Sequence, residues 1–79
     1  MVTAVMPFKS ETINWGIIGA GRIARTFASD IAFAPHATLA AVASRELSRA
    51  RGFADDFSIA TAYGSYQEIL ADPDIDAIY

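Results

Sequence analysis

Along the chain the apolar residues change period repeatedly, and each change separates a predicted strand from a predicted helix. From Ile13 the run INWGIIG is short, apolar and rich in β-branched residues, and it runs out onto Gly19 and Gly21. That is the pattern of a parallel strand buried on both faces. Apolar positions then recur at Ile23, Ala24, Phe27, Ala28, Ile31 and Ala32. Only a helix gathers that spacing onto one face, and Pro35 ends it. TLAAVAS from Thr38 predicts a second strand, and from Glu46 the positions Leu47, Ala50, Phe53, Ala54 and Phe57 predict a second helix. Gly52 weakens that helix by about 1 kcal/mol relative to alanine.

Residues 59–63 predict a brief third strand. Ser65 then stands three positions before Glu68, the S-x-x-E spacing of a capping box, and opens a helix to about Leu70. Asp72, Pro73 and Asp74 read as a turn, and IDAIY as a fourth strand. The predicted order is β-α-β-α-β-α-β. Alternation of this kind implies parallel strands joined by right-handed crossovers, so the fold class is α/β, a doubly wound sheet with helices on both faces. In the usual strand order the fourth strand lies beside the first, with a ligand crevice at their carboxyl ends.

Chemistry enters at the first strand-to-helix junction, Gly19-Ala20-Gly21-Arg22-Ile23-Ala24, a G-x-G-x-x-A. Gly19 permits a tight turn, Gly21 lets backbone approach a pyrophosphate, and Ala24 is small enough for close helix-on-strand packing. The helix start supplies N–H groups and the positive end of the dipole for the anionic bridge. Such a motif is weak alone. Here it follows a strand, opens a helix and has a second strand ending about twenty residues later, the context the dinucleotide fingerprint requires. Gly19, Gly21, Arg22, Ile23 and Ala24 are therefore candidate cofactor-binding residues, beside the plainer reading of a tight turn.

The second strand ends on Ala43-Ser44-Arg45, where an enzyme selective for NAD commonly carries an acid for the ribose 2′-hydroxyl. Without that acid, the Ser44 hydroxyl can donate to the 2′-phosphate of NADP, and the Arg45 guanidinium can bind it with a fork of charged donors. Arg49 lies one helical turn on and can face the same phosphate. Ser44, Arg45 and Arg49 thus favour NADP over NAD, although Ser44 also reads as a helix N-cap and the arginines as a solvated face.

Residues 13–79 are accordingly expected to be a partial Rossmann dinucleotide-binding domain, truncated after its fourth strand. Residues 1–12 hold no sustained period and read as an N-terminal arm. A sheet ending there should expose apolar surface and an unpaired edge, which favours association.

Bulk properties narrow the class. The 79 residues, 53% hydrophobic and 19% charged, suit one small globular domain. A net charge of −3 argues against a nucleic-acid partner, and no apolar run reaches the ~18 residues of a membrane span. The absence of cysteine fits a reducing compartment, and with no signal-like start a cytoplasmic location is expected. All five arginines fall in residues 22–51, the segment with the phosphate candidates, whereas residues 52–79 hold six acids and no base. Arg25 and Arg51 read as surface charges, and His36 as a surface histidine. Tyr63 and Tyr66 can stack on an adenine, yet packing explains them more simply. Asp72, Asp74 and Asp76 read as solvated turn residues rather than a metal site.

With these residues in hand, the chain resembles the glucose-fructose oxidoreductase / inositol dehydrogenase (Gfo/Idh/MocA) family. The likeness runs over residues 13–79, through INWGIIGAGRIA, AAVASRELSRARGFA and AYGSYQEILADPDIDAIY. Within the family, S-R-E-L-S-R and Y-G-S-Y-Q-E-I-L are most similar to NADP-dependent dihydrodiol dehydrogenase and D-xylose dehydrogenase-like members. The resemblance implies hydride transfer between the nicotinamide and a secondary alcohol of a sugar or diol, with Arg45 and Arg49 on the 2′-phosphate.

It also implies a small-molecule substrate, a homo-oligomeric full-length protein, and a catalytic lysine in a later E-K-P-like segment. The one lysine here, Lys9, does not match that context. No catalytic residue is therefore assigned, and the chain itself is expected to be inactive. A non-catalytic NADP-binding or sensing module is the alternative. A methyltransferase fold is disfavoured, because Ser44-Arg45 suits a 2′-phosphate better than a ribose diol.

Overall fold

A computed structural model describes residues 12–79; the expected N-terminal arm lies outside them except for Thr12. Seven elements follow in order: β1 (Ile13–Ile18), α1 (Arg22–Ile31), β2 (Ala37–Ala43), α2 (Leu47–Phe57), β3 (Thr61–Tyr63), α3 (Tyr66–Leu70) and β4 (Ala77–Ile78). All strand pairs are parallel, and the sheet order is β3-β2-β1-β4. The fourth strand therefore lies beside the first, as the doubly wound reading expects.

Alternation along the strands divides the core into two layers. Ile17 and Val42 pack with Ala24 and Ala28 of α1 and with Ala50, Phe53 and Ala54 of α2. Ala41 and Ala43 point the other way and meet Ile69 of α3. Helices thus cover both faces. Gly16 belongs to the α3 side, and its lack of a side chain sets that spacing. A Cβ there would lie 2.9 Å from Ile69 Cδ1, 3.1 Å from Ile78 Cδ1 and 3.2 Å from Ile75 Cγ2. A second adjustment is the register shift between Trp15 and Gly16, where β2 carries the additional residue Ala40 as a bulge.

Three local outcomes depart from the pattern-based reading. Helix α1 begins at Arg22, and its first apolar position, Ile23, is 72% exposed rather than on the core stripe. Ile59 does not join β3: its N–H donates to the Ala54 carbonyl at 2.8 Å, behind a left-handed Ser58, and so closes α2. The last strand is shorter than IDAIY. Ile75 turns back to the Asp72 carbonyl, although Asp76 and Tyr79 both donate to backbone carbonyls of β1.

Finally, the aspartates after α3 do more than face water. Tyr63 donates to Asp72 Oδ2 at 2.7 Å, Asp74 N–H donates to Asp72 Oδ1, and Asn14 N–H donates to Asp76 Oδ2 at 2.8 Å. Arg25, expected as a surface charge, pairs with Asp56 at 2.9 Å and lies over Phe53 and Phe57, joining α1 to α2. Half-exposed pairs of this kind contribute little individually.

The hydrogen bond from Tyr63 holds the Asp72 carboxyl below the usual carboxylate range, helped by the Asp74 N–H, and the same bond raises the Tyr63 phenol. A lowered acid contributes stability that is lost as pH falls through its folded-state value. A raised phenol contributes stability that is lost as pH rises through its own. Tyr63→Phe should therefore be less stable than wild type between about pH 4 and 10, and the gap should close on either side. Urea titrations across pH check this, and a gap independent of pH contradicts it.

Gly16→Val should cost about 1–3 kcal/mol by overpacking against Ile69, Ile75 and Ile78. Gly52→Ala, which meets nothing within 4 Å on the exposed face of α2, should add about 0.5–1 kcal/mol. Equal effects of the two substitutions on the urea midpoint would refute the packing argument.

Candidate functional site

The carboxyl ends of the strands converge on one rim, tied by backbone bonds. Gly19 N–H donates to the Ala43 carbonyl at 2.8 Å, Ser44 N–H to Tyr63 at 3.1 Å and Ile18 N–H to Tyr79 at 3.1 Å. The turn after β1, the end of β2 and the end of β4 are held together as a result. Because β2 and β4 flank β1 on opposite sides, this rim is the switch point at which doubly wound sheets take ligands.

Gly19 stands at φ +93°, a conformation that L side chains rarely adopt. Gly21 caps α1 with extended backbone and no side-chain hydrogen bond, and the first turn of α1 contains no acid. The unshared N–H groups of that turn and the helix dipole therefore face the rim. A Cβ at Gly19 or Gly21 would meet no protein atom within 4 Å. The open space lies directly over backbone, which fits a phosphate group approaching closely. Ala24 is buried at 7% exposure, where α1 packs on the sheet.

Two grooves flank this turn. One, of about 570 Å³, is lined by Ile18, Gly19, Gly21, Arg22, Ile23, Ala24 and Tyr79. The exposed Ile23 is explained by this position: the start of α1 lies at the strands' carboxyl rim, so its side chain reaches the groove instead of the core. Tyr79, which the sequence pattern did not single out, stacks on Phe27 at 4.0 Å between ring centroids. Its placement beside β1 was the available signal.

The other groove, of about 390 Å³, brings together Gly19, Ala20, Gly21, Ser44, Arg45, Glu46, Arg49 and Tyr66. All the residues proposed for a 2′-phosphate thus share one cleft with the glycine turn. Ser44 is buried at 7% exposure and is not the N-cap of α2, a position that falls to Glu46. Its Oγ accepts the Glu46 N–H at 3.3 Å, which leaves its own O–H as a donor.

Two further members complete the cleft: Glu46, read from the sequence only as a helix start, and Tyr66, read as packing rather than as an adenine stack. Glu46 adds a carboxylate beside two guanidinium groups. Tyr66 lies under Arg45, with 5.8 Å between Cζ and the ring centroid. Tyr63, by contrast, is engaged with Asp72 outside both grooves. Exposed His36 lies on a different groove, with Ile13, Trp15 and Phe27. Arg51 joins neither cleft beside the turn.

Comparison with known proteins agrees with this geometry. The family model described as "Oxidoreductase family, NAD-binding Rossmann fold" matches residues 13–79. Trans-1,2-dihydrobenzene-1,2-diol dehydrogenase of Xenopus tropicalis is 43% identical over 68 residues, which are 84% of this chain and 21% of that protein. Among solved structures, a 3-ketoreductase from Actinomadura kijaniata in complex with NADP aligns with TM-score 0.80 and 30% identity. That alignment covers 87% of this chain and 22% of the other. Myo-inositol dehydrogenase from Lactobacillus casei, with NAD(H) and myo-inositol, aligns with TM-score 0.78 and 29% identity, over 85% and 20% of the two chains. This chain spans about a fifth of the length of these relatives.

The two glycines should separate in stability. Gly19→Ala should cost about 1–2 kcal/mol because of its left-handed backbone, whereas Gly21→Ala should stay within about 0.5 kcal/mol of wild type. Urea unfolding of both variants measures this, and a Gly21→Ala loss matching that of Gly19→Ala would show that the turn is tight for structural reasons alone.

Proposed function

The chain belongs to the Gfo/Idh/MocA oxidoreductase family, with its NAD-binding Rossmann fold, and on that premise we propose that residues 13–79 form the NADP-binding part of a dehydrogenase. The observation that carries this reading is the single cleft in which Ser44, Arg45 and Arg49 lie with Gly19 and Gly21. Gly19, Gly21, Arg22, Ile23 and Ala24 receive the pyrophosphate side of the dinucleotide. Ser44 donates to the 2′-phosphate and the two arginines neutralise it.

When bound, the nicotinamide would supply the hydride chemistry: it would accept hydride from the carbinol carbon of a secondary alcohol, which becomes a ketone as its hydroxyl gives up a proton. The relatives named for a dihydrodiol and for inositol support a cyclic diol or polyol as the substrate class. In the full-length protein we expect a homo-oligomer. Residues 12–79 bind and orient the cofactor, and we assign none of them a role in proton transfer, so the chain by itself should not turn over.

Glu46 favours a second reading. A carboxylate in the same cleft can accept from a ribose 2′-hydroxyl, as in NAD-selective sites, and one structural relative holds NAD(H). The two arginines outweigh it in charge, so NADP is preferred.

Calorimetric titration decides between these readings. Arg45→Ala should weaken NADP binding by about 1.5–3 kcal/mol, the worth of a charged hydrogen bond, and leave NAD nearly unchanged. Equal losses for both cofactors would overturn the NADP assignment.

A further inference from the structure

The cleft contains one contact that the cofactor reading does not require. Arg45 leaves the end of β2 with an exposed side chain, and a long exposed guanidinium ordinarily samples many rotamers. Here its Cζ lies 5.8 Å from the centroid of the Tyr66 ring, within the range of a cation–π contact. Tyr66 belongs to a different element, the first turn of α3.

The ring itself is held from two directions. Tyr66 packs against the buried cluster of Ala41, Ala43 and Ile69. The residue before it, Ser65, caps α3 by accepting the Glu68 N–H at 3.3 Å and donates its hydroxyl to Glu68 Oε1 at 2.9 Å. Tyr66 is thus anchored against the core, and Arg45 is the exposed partner. Both line the 2′-phosphate cleft, and both also line the adjoining groove with Gly64, Ser65 and Gln67.

We infer that Tyr66 is a specificity-positioning residue, whose ring holds the Arg45 guanidinium at the cleft and so raises selectivity for a 2′-phosphorylated nucleotide. The inference rests on the NADP reading given above. Tyr66 acts through Arg45 and needs no contact with the nucleotide. Orienting the guanidinium in advance removes part of the ordering cost that binding would otherwise carry. A benefit of this origin falls on the ligand that uses Arg45 and bypasses the one that does not.

The test is a double-mutant cycle on this chain, with NADP and NAD titrated separately. Tyr66→Leu should weaken NADP about two- to five-fold, the scale of an exposed cation–π contact, with NAD unchanged. Tyr66→Phe keeps the ring and should keep the selectivity, and Tyr66→Met gives a second variant without a ring should the leucine fail to fold. In an Arg45→Ala background, removing the ring should have no further effect on NADP.

Equal weakening of both cofactors by folded ring-less variants, or an unchanged loss in the Arg45→Ala background, would overturn the positioning role. A wild-type chain that does not prefer NADP over NAD would instead overturn the underlying cofactor reading. An NADP preference left undiminished in both Tyr66→Leu and Tyr66→Met would overturn this inference alone.

Discussion

The site depends on one constraint: the carboxyl end of β1 must turn sharply into α1 while staying hydrogen-bonded to β2. Gly19 meets both demands, with φ at +93° and its N–H on the Ala43 carbonyl at 2.8 Å. That bond places Ser44 and Arg45 directly beside the glycine turn, so the helix start and the two arginines come to share a cleft. A residue with a side chain at position 19 would strain the backbone on which that alignment rests. Ala24 then seats α1 on the sheet, and Gly16 lets α3 approach from the opposite face.

Charge is distributed unevenly over this frame without building it. The chain is acidic overall, yet the cleft holds Arg45 and Arg49 against Glu46 alone. An open helix start with no acid in its first turn extends the same positive character to Gly21. The negative residues concentrate elsewhere, and several have structural work. Asp72 receives Tyr63 and Asp74, and Asp76 receives Asn14 across the β1–β4 pair.

Much of this was legible in the sequence, because the relevant signals are local. Period changes, together with the Ser65–Glu68 capping spacing and the turn at Asp72–Asp74, located all seven elements, and the G-x-G-x-x-A spacing located the glycine turn. The misplaced details are those in which tertiary contacts compete with local pattern. Ile59 has the composition of a strand residue but spends its N–H on closing α2. Ile23 fits a helical stripe but lies where the helix stands at the rim of the sheet, so it borders a groove. Tyr66 enters the cleft only because β2 and β3 are neighbours, a relation that spacing along the chain does not encode, whereas Glu46 comes with Arg45, which it directly follows.

In the proposed site the glycine turn and the end of β2 together hold one 2′-phosphorylated dinucleotide. Mapping of backbone amide shifts during titration with NADP tests it most directly. Perturbations should concentrate at residues 19–24 and 44–49, with NAD moving the first group and affecting the second only weakly. Perturbations confined to one group for NADP, or an identical pattern for NAD, would contradict it.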